Sequence, residues 1–361
     1  MSETGSADAF DVETLAEKTI DSLSVQPGQV IWIWASTHSL DLIEALAYRI
    51  RARGAFWTLR LTMESLLQRI GMDLPEPYLA LVPEHELHWL DDVDAIVEVR
   101  DHSGYLPDVA LPRRRAMGAE WIALIDEAER RGCRRVHVLN PTPALAAAYG
   151  LSAEALRRRV WSAISVDYRH LDEQQEYLAA RLTTAGAVHV TCPLGTDLRL
   201  RIAARPVHSD TDGIPRGELY LAPHEDSAEG VVVIPKAFFG GKPFEGLRLT
   251  FSRGRVVRAQ APDPGAVGAF WELLWASLGD KDRIAEFAIG LNPGVAEPVG
   301  DVALDEKIGG SVHIAIGMNH HFGGQNHSNL HLDLVIMHPT VWLDSYQVVA
   351  DGVLQAAGPA A

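Results

Sequence analysis

Histidines concentrate near the carboxyl-terminal end of this sequence. Six of its fifteen histidines fall between residues 313 and 338. They are His313, His320, His321, His327, His331 and His338. Histidine is a common ligand for Zn, Co, Mn and Fe, and carboxylates complete such sites. This stretch therefore predicts a metal site of imidazole and carboxylate groups in the second half of the chain.

Segment 330–336 alternates polar and apolar side chains in the manner of a strand. Alternate side chains on a strand share a face, so His331 and Asp333 point one way while the leucines between and beside them point the other. The two polar groups then lie about 7 Å apart along the strand, which suits a shared metal or a metal pair. The alternative is a half-buried strand with a solvated polar face.

His313 begins a second strand-like segment, 313–317, which follows a pair of glycines. Taken alone, it is more typical of a structural histidine, although glycine permits the close backbone approach that a site needs. Three acids, Glu218, Glu286 and Glu306, stand in turn-rich stretches. A lone acid in such a context is usually a solvated surface group, so none of these residues identifies a site by itself.

The elements that must position these residues fall into two parts. Residues 1–165 predict an α/β domain with a mainly parallel sheet, because short apolar strands, beginning with 29–35, alternate with helices. Residues 166–361 predict an α+β domain with a mixed or antiparallel sheet that carries the metal site, because Gly, Pro and Asp separate its short strands. Within that second domain, residues 282–286 are predicted to be helical.

Composition excludes several classes of function. The net charge of -16 and the pI near 5.3 argue against nucleic acid and against an anionic membrane surface, because both need clustered basic residues. The two cysteines, Cys133 and Cys192, are too few for a disulfide framework or a cysteine zinc motif. The polar, acidic start lacks the layout of a signal peptide, and no apolar run is long enough for a membrane helix. We therefore expect a cytoplasmic protein.

A cofactor-binding phosphate loop is not expected either. The first predicted strand leads into Ser36-Thr37-His38-Ser39, without the glycine-rich pattern that holds a nucleotide phosphate. The first domain therefore predicts no dinucleotide site.

Several blocks of the second half, in order, resemble the aminopeptidase T (AmpS/PepS-like) metalloaminopeptidases. The blocks are Gly195-Thr196-Asp197-Leu198, Pro215-Arg216-Gly217-Glu218, residues 222–230, 286–294, 305–310 and 313–317, Gly323-Gly324-Gln325-Asn326 and His331-Leu332-Asp333. A series of ordered blocks is more specific than one short motif. The first half fits more loosely, as an α/β domain.

The resemblance implies a pair of divalent metals, Zn, Co or Mn, in the second half. It assigns ligand roles to Glu218, Glu286, His313, His331 and Asp333, and less directly to Glu306. It also implies a hydrolase that removes the N-terminal residue of a peptide, or cleaves a related small amide, with a metal-activated water. Relatives are dimers, so a homodimer is expected.

The catalytic candidates are two carboxylates and two histidines. Glu218 and Glu306 are candidates for proton transfer to the leaving amine. The resembling family has a tyrosine seven residues after the position of His313, where this chain has His320, followed by His321. A tyrosine hydroxyl can steady an oxyanion, and a protonated imidazole could take that role or could bind metal instead. We therefore include His320 and His321 among the catalytic candidates.

Two other functions stay open at this point. A related branch, the 2,5-dihydroxypyridine ring-opening dioxygenases, shares blocks like 226–230 and 331–333. It uses one Fe(II) held by two histidines and one aspartate, with a histidine at the position of Glu286. The third possibility is a catalytically degenerate scaffold that keeps the fold for binding.

Overall fold

The computed structural model describes residues 10–355 except 103, 105, 107, 211, 212, 240 and 241. The chain divides into two compact units, Met1–Trp161 with Asp212–Ile214, and Ser162–Thr211 with Pro215–Ala361. Within the described residues, no helix is both long enough and apolar enough to cross a membrane.

The helices and strands are numbered in chain order. The helices are α1 Val12–Ser22, α2 Leu40–Ala52, α3 Glu64–Asp73, α4 Glu76–Leu79, α5 Glu84–Trp89, α6 Leu111–Arg130, α7 Pro143–Ala148, α8 Ala153–Ile164, α9 Tyr168–Thr184, α10 Pro264–Ala276 and α11 Val302–Asp305, with short 3-10 turns at Thr37–Ser39 and His320–Phe322. The strands are β1 Val30–Ser36, β2 Phe56–Thr62, β3 Ala95–Arg100, β4 Arg134–Leu139, β5 Ala187–Thr191, β6 Asp197–Arg201, β7 His208–Ser209, β8 Gly213–Ile214, β9 Glu218–Leu221, β10 Glu229–Phe239, β11 Lys242–Ser252, β12 Arg255–Gln260, β13 Ile284–Gly290, β14 Val312–Gly317, β15 His331–Ile336, β16 Thr340–Leu343, β17 Tyr346–Ala350 and β18 Val353–Leu354.

The first unit has one parallel sheet, in the order β2-β1-β3-β4-β8. Strand β1 is almost entirely buried, as expected of a parallel strand that helices cover on both faces. Its Trp32 and Trp34 pack in a core with Leu124 and Ile125 of α6. The predicted α/β fold with a parallel sheet is confirmed.

The second unit has two antiparallel sheets around one core. An eight-stranded sheet runs in the order β12-β11-β10-β6-β5-β16-β17-β18, and a five-stranded sheet runs in the order β15-β14-β13-β9-β7. Apolar side chains from both sheets and from α9 and α10 form a single cluster, which includes Phe251, Phe270 and Phe287. This agrees with the predicted α+β architecture.

The prediction of a helix at 282–286 is wrong, because Ile284–Gly290 is strand β13, buried along its whole length. It lies between β9 and β14 in the five-stranded sheet. Sheet pairing on both sides decides the conformation here, and local sequence preference is too weak to oppose it. This strand carries Glu286.

A β-bulge sets the direction of Glu286. Ile284 pairs with Ile316, whereas Glu286 pairs with Ala315, so the register shifts by one residue between them. A bulge inserts one extra residue and re-aims the side chains on either side of it. Ile284 therefore points into the core, while Glu286 points to the opposite face.

Two buried asparagines bind the bulge. The Asn326 side-chain amide donates to the Ile284 carbonyl at 2.9 Å, and the Asn319 amide donates to the Ala285 carbonyl at 3.2 Å. The Asn319 side-chain oxygen in turn accepts from the Asn326 backbone N–H at 2.7 Å. The bulge is therefore held by side chains from the loop that joins β14 to β15.

We expect Asn326→Ala to lower the free energy of unfolding by about 1–3 kcal/mol, because a buried carbonyl loses its donor. Urea denaturation followed by circular dichroism measures this. Gln260→Ala, at an exposed strand position, is the matched control and should change stability by less than about 0.5 kcal/mol. Equal effects of the two changes would contradict a role for Asn326 in holding the bulge.

Candidate metal centre

One face of the five-stranded sheet gathers the acidic and histidine side chains. His313 pairs with Ala288, and Ala315 pairs with both Glu286 and Asp333. Directly paired residues in an antiparallel sheet lie on the same face. Glu286, His313 and Asp333, on three adjacent strands, therefore point the same way.

Short side chains stand between the long ones on this face. Ala288 and Ala315 occupy the positions on β13 and β14 where a larger residue would fill the space. Gly290, next on the same face, pairs with Glu218 of β9. The face therefore leaves room among its polar side chains.

Glu286 lies at the centre of the cluster. Its Oε1 is 3.4 Å from His313 Nε2, and its Oε2 is 3.2 Å from His331 Nε2. Beyond it, His331 Nε2 is 3.2 Å from Asp333 Oδ1, and His313 Nε2 is 3.4 Å from Glu218 Oε2. The five side chains form a continuous series in which Glu286 joins the two histidines.

These side chains suit a divalent cation. Among the described residues, three overlapping groups have potential ligand atoms within 4.8 Å of one another, namely Glu218-Glu286-His313, Glu286-His331-Asp333 and Glu306-His313-Asp333. His313 is fully buried, yet neither ring nitrogen makes a well-formed hydrogen bond to a described residue. A buried polar atom without a partner is costly, and a cation beside His313 Nε2 removes that cost.

His331 is held with one nitrogen turned to the cluster. Its Nδ1 lies 2.8 Å from the Met318 carbonyl oxygen, so Nδ1–H donates and Nε2 faces Glu286 and Asp333. A backbone acceptor on the remote nitrogen is the usual way to orient a metal-binding imidazole. Burial alone would lower the pKa of His331, but the carboxylates of Asp333 and Glu286 hold this pKa well above its usual value.

A buried lysine balances part of the negative charge. Lys307 Nζ lies 2.5 Å from Glu218 Oε1, 2.8 Å from Asp210 Oδ2 and 3.4 Å from Glu306 Oε2. Burial works against its charge, but the three carboxylates raise the pKa of Lys307 well above its usual value. Lys307 is therefore a fixed cation, and it restrains one oxygen of Glu218.

Glu306 is the carboxyl group of the cluster best able to keep a proton. It follows α11, and burial, together with the charges of Glu218 and Asp333, raises its pKa well above the usual value. Asp333 differs, because His331 outweighs the opposing effect of burial and lowers the pKa of Asp333 to about 2. Neighbouring carboxylates whose pKa values diverge in this way are typical of acid-base sites.

The structure brings together six of the eight residues predicted to form the site, namely Glu218, Glu286, Glu306, His313, His331 and Asp333. His320 and His321 belong to none of the three groups of described residues. Both are exposed, with ring centroids 4.0 Å apart, and His327 lies 4.5 Å from His320. Their catalytic assignment stays a prediction.

Sequence reasoning missed three residues around the cluster. Lys307 and Asp210 form the charge network, and Tyr220 lies on the cluster's face, opposite Ala288. Burial, then the charges of Glu218 and Glu286, raises the pKa of Tyr220, so its hydroxyl keeps its proton. The alternation of β9 puts Tyr220 on the same face as Glu218, and this is the one local signal that indicates it.

A protein-family comparison matches residues 11–348 to the family described as "Thermophilic metalloprotease (M29)". The matched segment contains every residue of the cluster. No curated protein matches the chain at a significant level.

Two solved structures share the fold over nearly the whole chain. Wild-type AmpT from Thermus thermophilus superposes with a TM-score of 0.81 at 22% identity, covering 96% of this chain and 99% of that one. The 2,5-dihydroxypyridine dioxygenase from Pseudomonas putida KT2440 superposes with a TM-score of 0.67 at 15% identity, covering 96% and 97%. At such identities these similarities show the fold alone.

We expect Lys307→Met to lower the free energy of unfolding by about 3–5 kcal/mol, because the buried carboxylates lose their cation. Urea denaturation in the presence of a chelator measures this without interference from metal. The control is Lys281→Met, since the Lys281 ammonium donates to the Ser277 carbonyl outside the cluster. A stability loss no greater than that of the control would contradict the charge-balancing role.

Proposed function

Because the chain belongs to the thermophilic metalloprotease (M29) family, we propose that it is a metal-dependent aminopeptidase. Its substrate is a peptide with a free N-terminus, or a related small amide, and a metal-activated water cleaves the bond next to the N-terminal residue. The observation that carries this proposal is the position of Glu286 between His313 and His331. Two imidazoles and a glutamate hold the zinc of several hydrolases, and the further carboxylates of Glu218 and Asp333 beside Glu286 give more donors than a single facial triad needs.

We propose two divalent ions per chain, Zn, Co or Mn. Glu218, Glu286, His313, His331 and Asp333 are the ligands, with Glu306 as a further one. Glu286, His313 and Asp333 each belong to two of the three ligand groups, so the six side chains would offer enough donors for more than one ion. Such a pair, when bound, supplies Lewis acidity and lowers the pKa of a water toward neutrality.

The protein's own groups move the proton and fix the geometry. The Glu306 carboxylate lies close to His313 and Asp333, and it can accept a proton from the attacking water and release it to the leaving amine. Lys307 fixes Glu218 through Oε1, which leaves Oε2 directed toward His313. The Met318 carbonyl keeps the Nε2 of His331 turned toward the cluster.

A developing oxyanion needs a hydrogen-bond donor. We propose His320, with His321 beside it, as one candidate; the 3-10 turn that carries both ends at Phe322, whose ring centroid is 5.9 Å from that of His331. Tyr220 is a second candidate, because its phenol keeps its proton and lies on the face of the cluster. A single hydrogen-bond donor of this kind contributes about 10²–10³ in kcat.

The dioxygenase alternative is weaker. A facial triad of two histidines and one carboxylate is typical of Fe(II) oxygenases, and His313, His331 and Asp333 are all present. In the resembling dioxygenases, however, a histidine takes the position of Glu286. Here Glu286 contacts both histidines, which favours a hydrolase.

We also propose that the protein acts in the cytoplasm as a homodimer. Nothing in its charge suggests nucleic acid or a membrane as a partner. Size-exclusion chromatography with light scattering gives the oligomeric state directly.

Metal content and turnover test the proposal together. We expect two equivalents of Zn, Co or Mn per chain and turnover of aminoacyl-anilides. Glu286→Ala and His331→Ala should each lower kcat at least about a hundredfold and reduce the metal content, because both residues belong to the proposed ligand set. Elemental analysis and a chromogenic assay make the measurements.

The controls for these two variants are Glu176→Ala and His170→Ala, both at exposed positions on α9, and both should keep the wild-type kcat and metal content. One equivalent of iron per chain, with oxygen consumption on a dihydroxypyridine, would show that the protein is a dioxygenase and not a hydrolase. A protein that neither holds nor takes up metal would be the degenerate scaffold. Turnover that survives both Glu286→Ala and His331→Ala would refute the site.

We expect removal of the oxyanion donor to lower kcat at least about tenfold with little change in KM, because this hydrogen bond strengthens only in the transition state. Steady-state kinetics of His320→Ala, His321→Ala and Tyr220→Phe identify the donor among the three. If all three variants keep the wild-type kcat, these side chains play no part in oxyanion stabilisation.

A further inference from the structure

A small cavity adjoins the metal cluster. Its volume is about 180 Å³, and Glu306, His331 and Asp333 line one part of it. Since a water in the liquid has about 30 Å³, the cavity has the volume of about six waters. That is room for one side chain or one terminal group of a substrate, and not for a long peptide.

The rest of the lining is mostly apolar. Ala237 and Phe238 come from β10, Leu332 and Val335 come from β15, and Val302 comes from α11. Apolar walls with a few placed polar groups are typical of a small-molecule subsite. The polar group of interest is on β10.

That group is Lys236, the only lysine or arginine among the described residues that line the cavity. Its Nζ is 4.9 Å from the centroid of the Phe238 ring. Lys236 lies opposite Glu245 of β11 in the antiparallel ladder, but among the described residues it forms no ion pair with Glu245 or with the acids that line the cavity. Lys307, by contrast, contacts three carboxylates. Lys236 therefore offers a cation that these carboxylates do not neutralise directly.

Asp305, which also lines the cavity, is a carboxylate that could pair with Lys236, but both of its oxygens already accept hydrogen bonds from backbone N–H groups. Its Oδ1 accepts from the Val299 N–H at 2.7 Å, and its Oδ2 accepts from the Gly300 N–H at 2.8 Å. Asp305 is also buried. Lys236 lowers the pKa of Asp305 only by a longer-range electrostatic effect, without an ion pair between them. The Lys236 ammonium can therefore stay in the cavity.

We propose that Lys236 binds a carboxylate of the substrate, so that the enzyme favours acidic substrates. The carboxylate is either the side chain of an N-terminal Glu or Asp, or the free C-terminus of a short peptide. This inference rests on the proposed aminopeptidase function. The small volume, the apolar walls and the Lys236 ammonium together favour a compact anionic group beside the metal cluster.

The test compares substrates that differ in one charge. Glutamyl- and glutaminyl-p-nitroanilide differ only in the side-chain carboxylate, and Leu-Leu and Leu-Leu-amide differ only in the terminal one. Wild-type enzyme should prefer the charged member of one pair in kcat/KM. Lys236→Met should reduce that preference about fivefold, as expected for a partly exposed ion pair.

Two matched variants control for charge and for packing. Lys236→Arg keeps the cation and should keep most of the preference. Arg258→Met removes the same charge from an exposed position on β12 and should leave the preference intact. The pair of substrates affected by Lys236→Met shows which carboxylate is bound.

Binding provides a readout that does not depend on turnover. Calorimetry with L-glutamate, L-glutamine and L-leucine should show tighter binding of glutamate if the side chain is recognised, and Lys236→Met should abolish the difference. Leu-Leu and its amide are themselves substrates, so the terminal carboxylate is tested by kcat/KM alone. If the protein binds the charged ligand more tightly but turns over no anilide, the subsite proposal stands and the proposed aminopeptidase function is wrong. Equal affinities and equal rates for every charged and neutral pair, or a preference that survives Lys236→Met, would overturn the proposal.

Discussion

The second unit depends on one costly arrangement, a buried glutamate held between two histidines on a strand that is itself buried on every side. Taking a carboxylate out of water is expensive unless cations and hydrogen bonds compensate for it. For Glu286 the compensation comes from His313 and His331 on adjacent strands. The bulge immediately before Glu286 fixes the direction of this side chain, and Asn319 and Asn326 hold the bulge by hydrogen bonds.

Partial neutralisation of buried carboxylates also describes the wider cluster. Four acids, Asp210, Glu218, Glu306 and Asp333, lie close to Glu286 or to one another, and the protein provides a single buried lysine to three of them. The fold thereby keeps an excess of negative charge around two imidazoles. Mixed carboxylate and imidazole ligands of that kind suit borderline divalent metals, and membership of a metalloprotease family accords with this.

The sequence predicts the parts of this arrangement that have a local pattern. Alternation alone places His331 and Asp333 on one face, and the parallel sheet of the first unit follows from its buried apolar strands. Glu286 entered the predicted site only by resemblance, since its segment was predicted to be helical. A bulge depends on pairing with a strand some thirty residues away, and no local pattern reports it.

Long-range contacts explain the other omissions. Lys307 is adjacent to Glu306 in sequence, yet its importance comes from Asp210 and Glu218, which lie far away along the chain. The histidines show the opposite case. Of the six between residues 313 and 338, two, His313 and His331, belong to the ligand groups of the described residues. His320 and His321, which were catalytic candidates by the position of the family's tyrosine, have rings 4.0 Å apart and tilted by 38° at an exposed turn. Density of a residue type along a sequence is therefore a poor guide to convergence in space.

Two alanines on the cluster's face have a consequence for how this protein can evolve. Ala288 and Ala315 have no reactive chemistry, and an inspection for functional groups would pass over them. They nonetheless define the empty volume among the acids and histidines, so a single added methylene enters the space that a ligand needs. In a library of random variants, these two positions should tolerate less change than many of the charged residues on the surface. The site therefore requires an absence of atoms at these two positions as strictly as it requires the atoms of its ligands.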